Sequence, residues 1–165
     1  MYSQIPAPEG RLSKNAVKVW MMVETVSHLI ILSVLTALFF LDNFFSWQEW
    51  IGWILIAITC LTILSAIWSI FMKPFFLYKN WRYHADEEFL QLKSGAINEE
   101  HQLVPMSKIQ AVSTNQGPFL RKYGLYSLSI ETMGSSHIIP ALPEDIAIDL
   151  RNRIAHFAKI KEVEE

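Results

Sequence analysis

The sequence has little of what a disulfide-stabilised, fibrous or nucleic-acid-binding protein needs. Only one of its 165 residues, Cys60, is a cysteine, so no disulfide can close within the chain. Fourteen basic residues stand against sixteen acidic ones, and the net charge of −2 provides no positive field for nucleic acid. Charged residues make up 18% of the chain and hydrophobic residues 52%, a balance that excludes intrinsic disorder. The question is therefore where the hydrophobic excess lies.

Motifs for catalysis and metal binding are also missing from the sequence. It contains no HExxH, CxxC or GxSxG motif, and its six glycines form no phosphate-binding loop. Two acidic clusters, at residues 86–88 and 99–100, are more typical of solvated turns than of cation sites, because neighbouring strand residues point to opposite faces. We therefore expect no catalytic residue, no metal and no cofactor, and a protein that is not an enzyme.

Two long hydrophobic segments account for the excess. Residues 50–72 carry no charged side chain and would form a helix of about 35 Å, enough to cross the hydrocarbon core of a bilayer. Residues 19–41 form a similar segment, and the short linker at 42–49 forces an antiparallel hairpin. The sequence predicts two membrane spans with these bounds, in a membrane hairpin that occupies residues 19–72.

The flanking charges predict the orientation of this hairpin. The linker contains no Lys or Arg, whereas six basic residues flank the outer ends of the two spans: Arg11, Lys14, Lys18, Lys73, Lys79 and Arg82. Positive residues near spans stay on the cytoplasmic side. We therefore expect a multi-pass membrane protein with both termini in the cytoplasm.

Glu24 and His28 interrupt the first span and form a candidate intramembrane polar pair. They lie four residues apart and so share one face of a helix. Ionisable residues inside a membrane are often functional, and a small transport or ligand-sensing subunit would use such a site. The alternative is that Glu24 lies near the interface and reaches the headgroups, because about 20 residues before Leu41 is Met22.

The remainder is predicted to be a cytoplasmic domain at residues 73–160, with an N-terminal segment at 1–18 and a tail at 161–165. Alternation of apolar and polar side chains predicts six or seven short antiparallel strands. The clearest lie near residues 81–85, 90–92, 96–104, 109–114, 126–130 and 137–139. A helix then begins near Pro143, and its predicted apolar stripe consists of Ile146, Leu150, Ile154 and Phe157.

The most distinctive segment joins two of these strands at residues 115–125. Pro118 can open a short helical turn and Gly124 can close it. Basic residues in this loop would each contribute about 1 kcal/mol at an anionic membrane surface, although a plain solvated loop is the alternative. The candidate loop for contact with a partner or a headgroup consists of Gln116, Gly117, Pro118, Arg121, Lys122 and Tyr123.

Together with residues 104–110 and 139–142, this loop resembles the YdbS-like bacterial membrane proteins, whose cytoplasmic part is a bacterial pleckstrin-homology (PH)-like domain. The resemblance covers nearly the whole chain, including both spans and the entry strand at residues 81–83. It implies an α+β membrane protein in which a PH-like antiparallel sheet of about seven strands is capped by a C-terminal helix. Residues 98–100 are more polar than this pattern expects, which leaves the local strand register open.

The resemblance also implies a function. Residues 86–88 are acidic where phosphoinositide-binding PH domains carry a basic cluster, so phosphoinositide binding is not expected. We expect a non-enzymatic scaffold at the cytoplasmic face of the bacterial plasma membrane, whose sheet edges and loop bind another PH-like-domain membrane protein or a second copy. At family level this suggests a role in envelope stress or antimicrobial-peptide tolerance. The alternative is a small transport or lipid-sensing subunit that uses Glu24 and His28.

Overall fold

The computed structural model describes residues 8–158, so the predicted tail at 161–165 lies outside the described residues. The chain divides into two compact units. One is the helical unit Trp20–Phe75, and the other joins the described residues before it to those from Phe76 onward.

Two helices are long and apolar enough to cross a membrane. Helix α1 spans Asn15–Phe45, and a second helical path runs from Glu49 to Asn80. Only 6% and 11% of their most hydrophobic windows are buried. A core helix of a soluble protein would be mostly buried, so these helices present their apolar side chains outward, as membrane-spanning helices do.

The second helical path has three parts. Helix α2 (Glu49–Ile67) leads into a single π-helical turn (Trp68–Met72), and α3 (Lys73–Asn80) follows without a break. The helix continues past Pro74. Proline lacks an N–H and clashes with the carbonyl four residues earlier. The widened turn just before it, in which Lys73 N–H donates to the carbonyl of Trp68, is a form of helix that accommodates such a disturbance.

The other unit contains two three-stranded antiparallel sheets. Sheet A has the order β1 (Arg82–Ala85), β2 (Phe89–Ser94) and β3 (Glu100–Pro105). A 3₁₀ turn (Met106–Lys108) leads to sheet B, which has the order β4 (Ile109–Asn115), β5 (Leu125–Thr132) and β6 (Ser136–Pro143). Helix α4 (Pro118–Lys122) joins β4 to β5, and α5 (Glu144–Phe157) ends the described chain.

This arrangement confirms the predicted fold and corrects its details. The described residues form six strands rather than seven. The third strand begins at Glu100 and not at residue 96, because residues 95–99 make a turn in which Gly95 has a φ of +124°. The last strand is longer than predicted and contains Pro140, which is tolerated because β6 lies at the edge of sheet B.

The core lies between the inner faces of the sheets and α5. Its fully buried side chains include Leu90, Met106, Leu128, Ile130, Ile139, Leu142 and Ile154. Helix α5 buries Ala147, Leu150 and Ile154, whereas Ile146 is exposed. The predicted stripe was therefore wrong at its first position, because the helix presents the neighbouring Ala147 to the core.

The segment before α1 closes one side of this unit. Gly10 N–H donates to the Tyr83 carbonyl at 2.9 Å, and Tyr83 N–H donates to the Gly10 carbonyl at 3.1 Å, so the segment covers the edge of β1. Three residues later, Ser13 N–H donates to the carbonyl of Ala141 in β6 at 3.3 Å. The segment thus links sheet A to sheet B, and burial raises the pKa of Tyr83 beneath it.

Candidate interaction surfaces

The loop after β4 folds as the sequence predicts. Pro118 occupies the first turn of α4, and Arg121 N–H donates to the Gly117 carbonyl at 2.9 Å. Gly124 ends the turn with a φ of +62°, and its N–H donates to the Arg121 carbonyl at 3.1 Å. The left-handed conformation favours glycine at this position.

The six candidate residues of this loop are not equivalent. Gly117, Pro118, Arg121 and Lys122 are exposed. Gln116 instead holds the loop closed, because its Nε2 donates to the Leu125 carbonyl at 3.1 Å, and Tyr123 is half-buried. The four exposed residues are therefore the ones available for a partner or a headgroup, and that contact stays a prediction.

The strand before this loop has an open edge. Among residues 8–158, β4 pairs with β5 alone, and its seven residues include neither a charged residue nor a proline. The other outer strands that the structure describes are protected: Gly10 covers β1, β3 carries Glu100 and Pro105, and β6 carries Pro140 and Pro143. Charge, proline and covering segments are the usual means of preventing edge-to-edge pairing. β4 lacks all three.

Glu24 and His28 contact the opposite helix of the hairpin. Lys73 Nζ donates to Glu24 Oε1 at 2.9 Å. The His28 ring donates through Nδ1 to the Glu24 carbonyl at 2.8 Å, and its Nε2 lies 3.4 Å from Ser69 Oγ. His28 and Ser69 are both buried. The polar pair thus forms part of a contact between two helices, which we call the hairpin clasp (Glu24, His28, Ser69 and Lys73).

The clasp continues into a seam along α2. The half-buried and buried residues of this helical path recur at alternating spacings of three and four, while most residues between them are exposed: Gly52, Leu55, Thr59, Thr62, Ala66 and Ser69. Small and hydroxyl side chains let membrane helices approach closely. Sequence reasoning missed Ser69 and Lys73. An antiparallel hairpin brings the end of the second span beside the start of the first, so it indicates the neighbourhood of these contacts but not the exact pairs.

A second polar cluster lies in a cleft of about 410 Å³ between β3 and the turn from β5 to β6. His137 Nδ1 donates to Gln102 Oε1 at 2.7 Å, and His137 Nε2 lies 2.9 Å from Ser135 Oγ. A hydroxyl, an imidazole and an amide in this order resemble a catalytic triad. However, the backbone N–H of Ser135 already donates to Thr132 Oγ1 at 3.1 Å, so this N–H is not available to stabilise an oxyanion. The cluster instead joins sheet B to sheet A and fixes the turn.

Residues 8–158 contain no group of three or more His, Cys, Asp and Glu side chains placed to hold a metal ion. The only cysteine, Cys60, lies exposed on α2. Its position there is consistent with a small side chain that faces lipid.

Comparisons with known proteins agree with this architecture. The sequence model of the family described as "Bacterial PH domain" matches residues 26–158. The UPF0699 transmembrane protein YdbS of Bacillus subtilis (strain 168) is 33% identical over 153 residues, which cover 93% of this chain and 94% of that protein. No solved structure matches the chain significantly. Both matches extend across the hairpin as well as the sheets.

Proposed function

Because the chain belongs to the bacterial PH domain family and is similar to a transmembrane protein over nearly its whole length, we propose that it is a membrane-anchored, non-enzymatic interaction module. Its hairpin holds the sheet unit at the membrane. The sheet unit binds either a second copy of this chain or another membrane protein that carries a PH-like domain. The excess of Lys and Arg outside the hairpin supports a location of the sheet unit at the cytoplasmic face of the plasma membrane.

The open edge of β4 is the observation that carries this proposal. An unpaired strand offers a row of backbone N–H and C=O groups to an extended segment of another chain. α4 follows β4 directly, so Arg121 and Lys122 flank the same edge in sequence. The edge would supply backbone pairing, and the loop would supply side-chain contacts that select the partner.

The transport alternative receives less support. It requires Glu24 and His28 to be available to a substrate, whereas their side chains contact Lys73 and Ser69. In the proposed module these residues hold the hairpin together. Replacing them with apolar residues should therefore weaken the hairpin without abolishing recognition of the partner.

Site-specific photo-crosslinking of the full-length protein in membranes tests the proposal. A photoreactive residue at the exposed Ser113 of β4 should capture a second copy or another protein with a PH-like domain. The matched control position is Glu131, which is exposed on the neighbouring central strand β5. Adding Ala111→Lys should abolish capture from Ser113, because a charge on an edge strand opposes pairing.

The outcomes separate the alternatives. Equal capture from Ser113 and Glu131, or capture of lipid alone, would contradict the assignment of β4 as the interface. Loss of capture in a Glu24→Leu/His28→Leu variant, with capture retained in Arg121→Gln/Lys122→Gln, would favour the intramembrane site. The resemblance further suggests a role in envelope stress or antimicrobial-peptide tolerance, and the Ala111→Lys strain should lose that tolerance if the interface serves it.

A further inference from the structure

The outer face of sheet A differs from its inner face in composition. Leu90 and Leu92 of β2 are buried in the core, so Gln91 and Lys93 lie on the opposite face. The register places Arg82 of β1 and His101 of β3 directly beside Lys93. Side chains at such positions lie about 5 Å apart at their Cβ atoms, and like charges there repel. Three basic residues in one row therefore indicate a site that attracts a negative group.

Gln91 lies in the next row of this face, between His84 and Leu103. It is only 8% exposed, and its Nε2 is buried without a hydrogen-bond partner in the described part of the chain. Buried amide N–H groups are nearly always paired in folded proteins. An acceptor oxygen from outside the chain would complete the hydrogen bonding of this amide.

The carboxylate of Glu99 already lies beside the basic row. Its Oε2 lies 2.8 Å from Lys93 Nζ and 3.9 Å from His101 Nε2. The hydrogen bond and charge of Lys93, together with His101, lower the pKa of Glu99 below its usual value. Glu99 is half-exposed in the turn at residues 95–99, and its position shows that the row accepts an oxyanion.

This turn contacts the end of α3, the helix that precedes β1. Asn80, the last residue of α3, donates from Nδ2 to the Gly95 carbonyl at 3.1 Å. Ile97 at the tip of the turn is 76% exposed. An exposed apolar side chain beside a basic row is the combination that favours contact with a lipid headgroup region.

We propose that Arg82, Gln91, Lys93 and His101 bind a phosphate group on the outer face of sheet A, and that Glu99 occupies this site when no ligand is present. Arg82 and Lys93 supply charge, and Gln91 Nε2 supplies a further donor. The Arg82 Nη1 group also donates to the Trp81 carbonyl at 2.6 Å, which holds the guanidinium near the sheet. This site lies apart from the β4 edge and does not depend on the proposed interface.

A phosphate can come from an anionic lipid or from solution, and the experiment distinguishes the two. Full-length protein is placed in phosphatidylcholine nanodiscs with or without phosphatidylglycerol, and separately exposed to inorganic phosphate. Hydrogen exchange of the backbone at residues 95–99 is the measurement. We expect phosphatidylglycerol to change this exchange, because it displaces Glu99 from Lys93. A response to inorganic phosphate alone would keep the site and identify a soluble phosphate as its ligand.

Variants test the role of each group. Lys93→Gln should raise the phosphatidylglycerol content needed for a half-maximal response about fivefold. Gln91→Leu, which removes the unpaired donor but keeps an apolar body, should also weaken the response. Glu99→Gln should shift the exchange at residues 95–99 towards the ligand-bound level even without phosphatidylglycerol, because the carboxylate that pairs with Lys93 is removed. The matched control is Lys108→Gln, which removes an exposed basic charge beyond the opposite end of β3 and should leave the response unchanged.

Two results would overturn the proposal. One is the absence of any response to phosphatidylglycerol and to inorganic phosphate in the wild-type protein. The other is an equal response in the wild type, Lys93→Gln and Glu99→Gln, which would leave Glu99 and Lys93 as an ion pair that only fixes the turn.

Discussion

The helical hairpin and the sheet unit place the same kinds of side chain in opposite positions. In the sheet unit, Leu90, Leu128 and Ile139 are fully buried and the charged residues lie outside. In the hairpin, large apolar side chains such as Leu61 are exposed, and two of its few buried residues, His28 and Ser69, are polar. The comparison shows that the surrounding solvent, rather than hydrophobicity alone, decides which residues lie inside.

Different forces must therefore hold the two regions together. Burial of apolar surface from water stabilises the sheet unit. Lipid is as apolar as leucine, so the hairpin gains nothing by hiding leucine between its helices and depends on close packing and polar contacts. Matched substitutions in the two regions, and a polar contact that only one of them makes, should expose this difference.

Truncation of leucine should give the largest difference. Leu128→Ala should lower the free energy of unfolding by about 2–5 kcal/mol, because it leaves a cavity in the core of the sheet unit. Leu61 is 66% exposed, so Leu61→Ala should make the free energy of membrane insertion less favourable by only about 0.5 kcal/mol. Chemical denaturation of the full-length protein in detergent, followed by circular dichroism, measures the first effect. Similar losses of stability in the two variants would show that Leu61 is packed against protein.

Introduction of arginine should affect the hairpin more than the sheet unit, which is the reverse of the effect expected for truncation of leucine. Leu61 lies in the middle of the second span, so Leu61→Arg should disfavour insertion by about 2.5–3.5 kcal/mol. Ile138 on β6 is 54% exposed to water, and Ile138→Arg should change stability by no more than about 0.5 kcal/mol. An insertion assay for the hairpin and a thermal melt for the sheet unit provide the two measurements. Normal insertion of Leu61→Arg would contradict the lipid-facing position of Leu61.

The features predictable from the sequence are those set by neighbouring residues. The length of the apolar runs predicts the two long helices, and the Gly117-Pro118 pair with Gly124 predicts α4, because turn chemistry acts over a few residues. The period-two pattern finds the strands but not their ends. Asn98 and Glu99 were placed in a strand because the pattern does not show that Gly95 begins a turn there.

Contacts between distant segments were not predictable in this way. Nothing near Gly10 indicates that it pairs with Tyr83, and nothing near His137 indicates Gln102 as its partner. The open edge of β4 emerged only when the order of the strands was known. The hairpin is an intermediate case, since its short linker makes the two helices antiparallel but does not fix which residues oppose each other, so the pairing of Lys73 with Glu24 needed the structure.

Replacement of glycine by alanine should give a smaller difference in stability between the two regions. A Cβ at Gly10 would lie 2.5 Å from the Tyr83 carbonyl oxygen, so Gly10→Ala should separate the strand pair and cost about 1–3 kcal/mol. A Cβ at Gly52 of α2 would lie 3.5 Å from Asp42 Oδ2, an ordinary contact. Gly52→Ala should be neutral or stabilise the helix by up to about 1 kcal/mol. Thermal melts of the two variants test this, and destabilisation by Gly52→Ala would show a tighter seam than the structure has.

The smallest effect should come from the ion pair of Glu99 with Lys93, which lies in water, unlike the buried His28–Ser69 contact of the hairpin clasp. Because the pKa of Glu99 is lower in the folded protein, its ionised form stabilises the fold above the unfolded pKa. This contribution should disappear as the pH falls below about 4.5 and through the lower folded value. Stability of the wild type and Glu99→Gln should therefore converge at acidic pH, and added salt should reduce their difference at neutral pH. Glu87→Gln, at an exposed carboxylate of the β1–β2 turn, is the control. A difference between wild type and Glu99→Gln that persists at low pH would mean that Glu99 acts through packing and not through its charge.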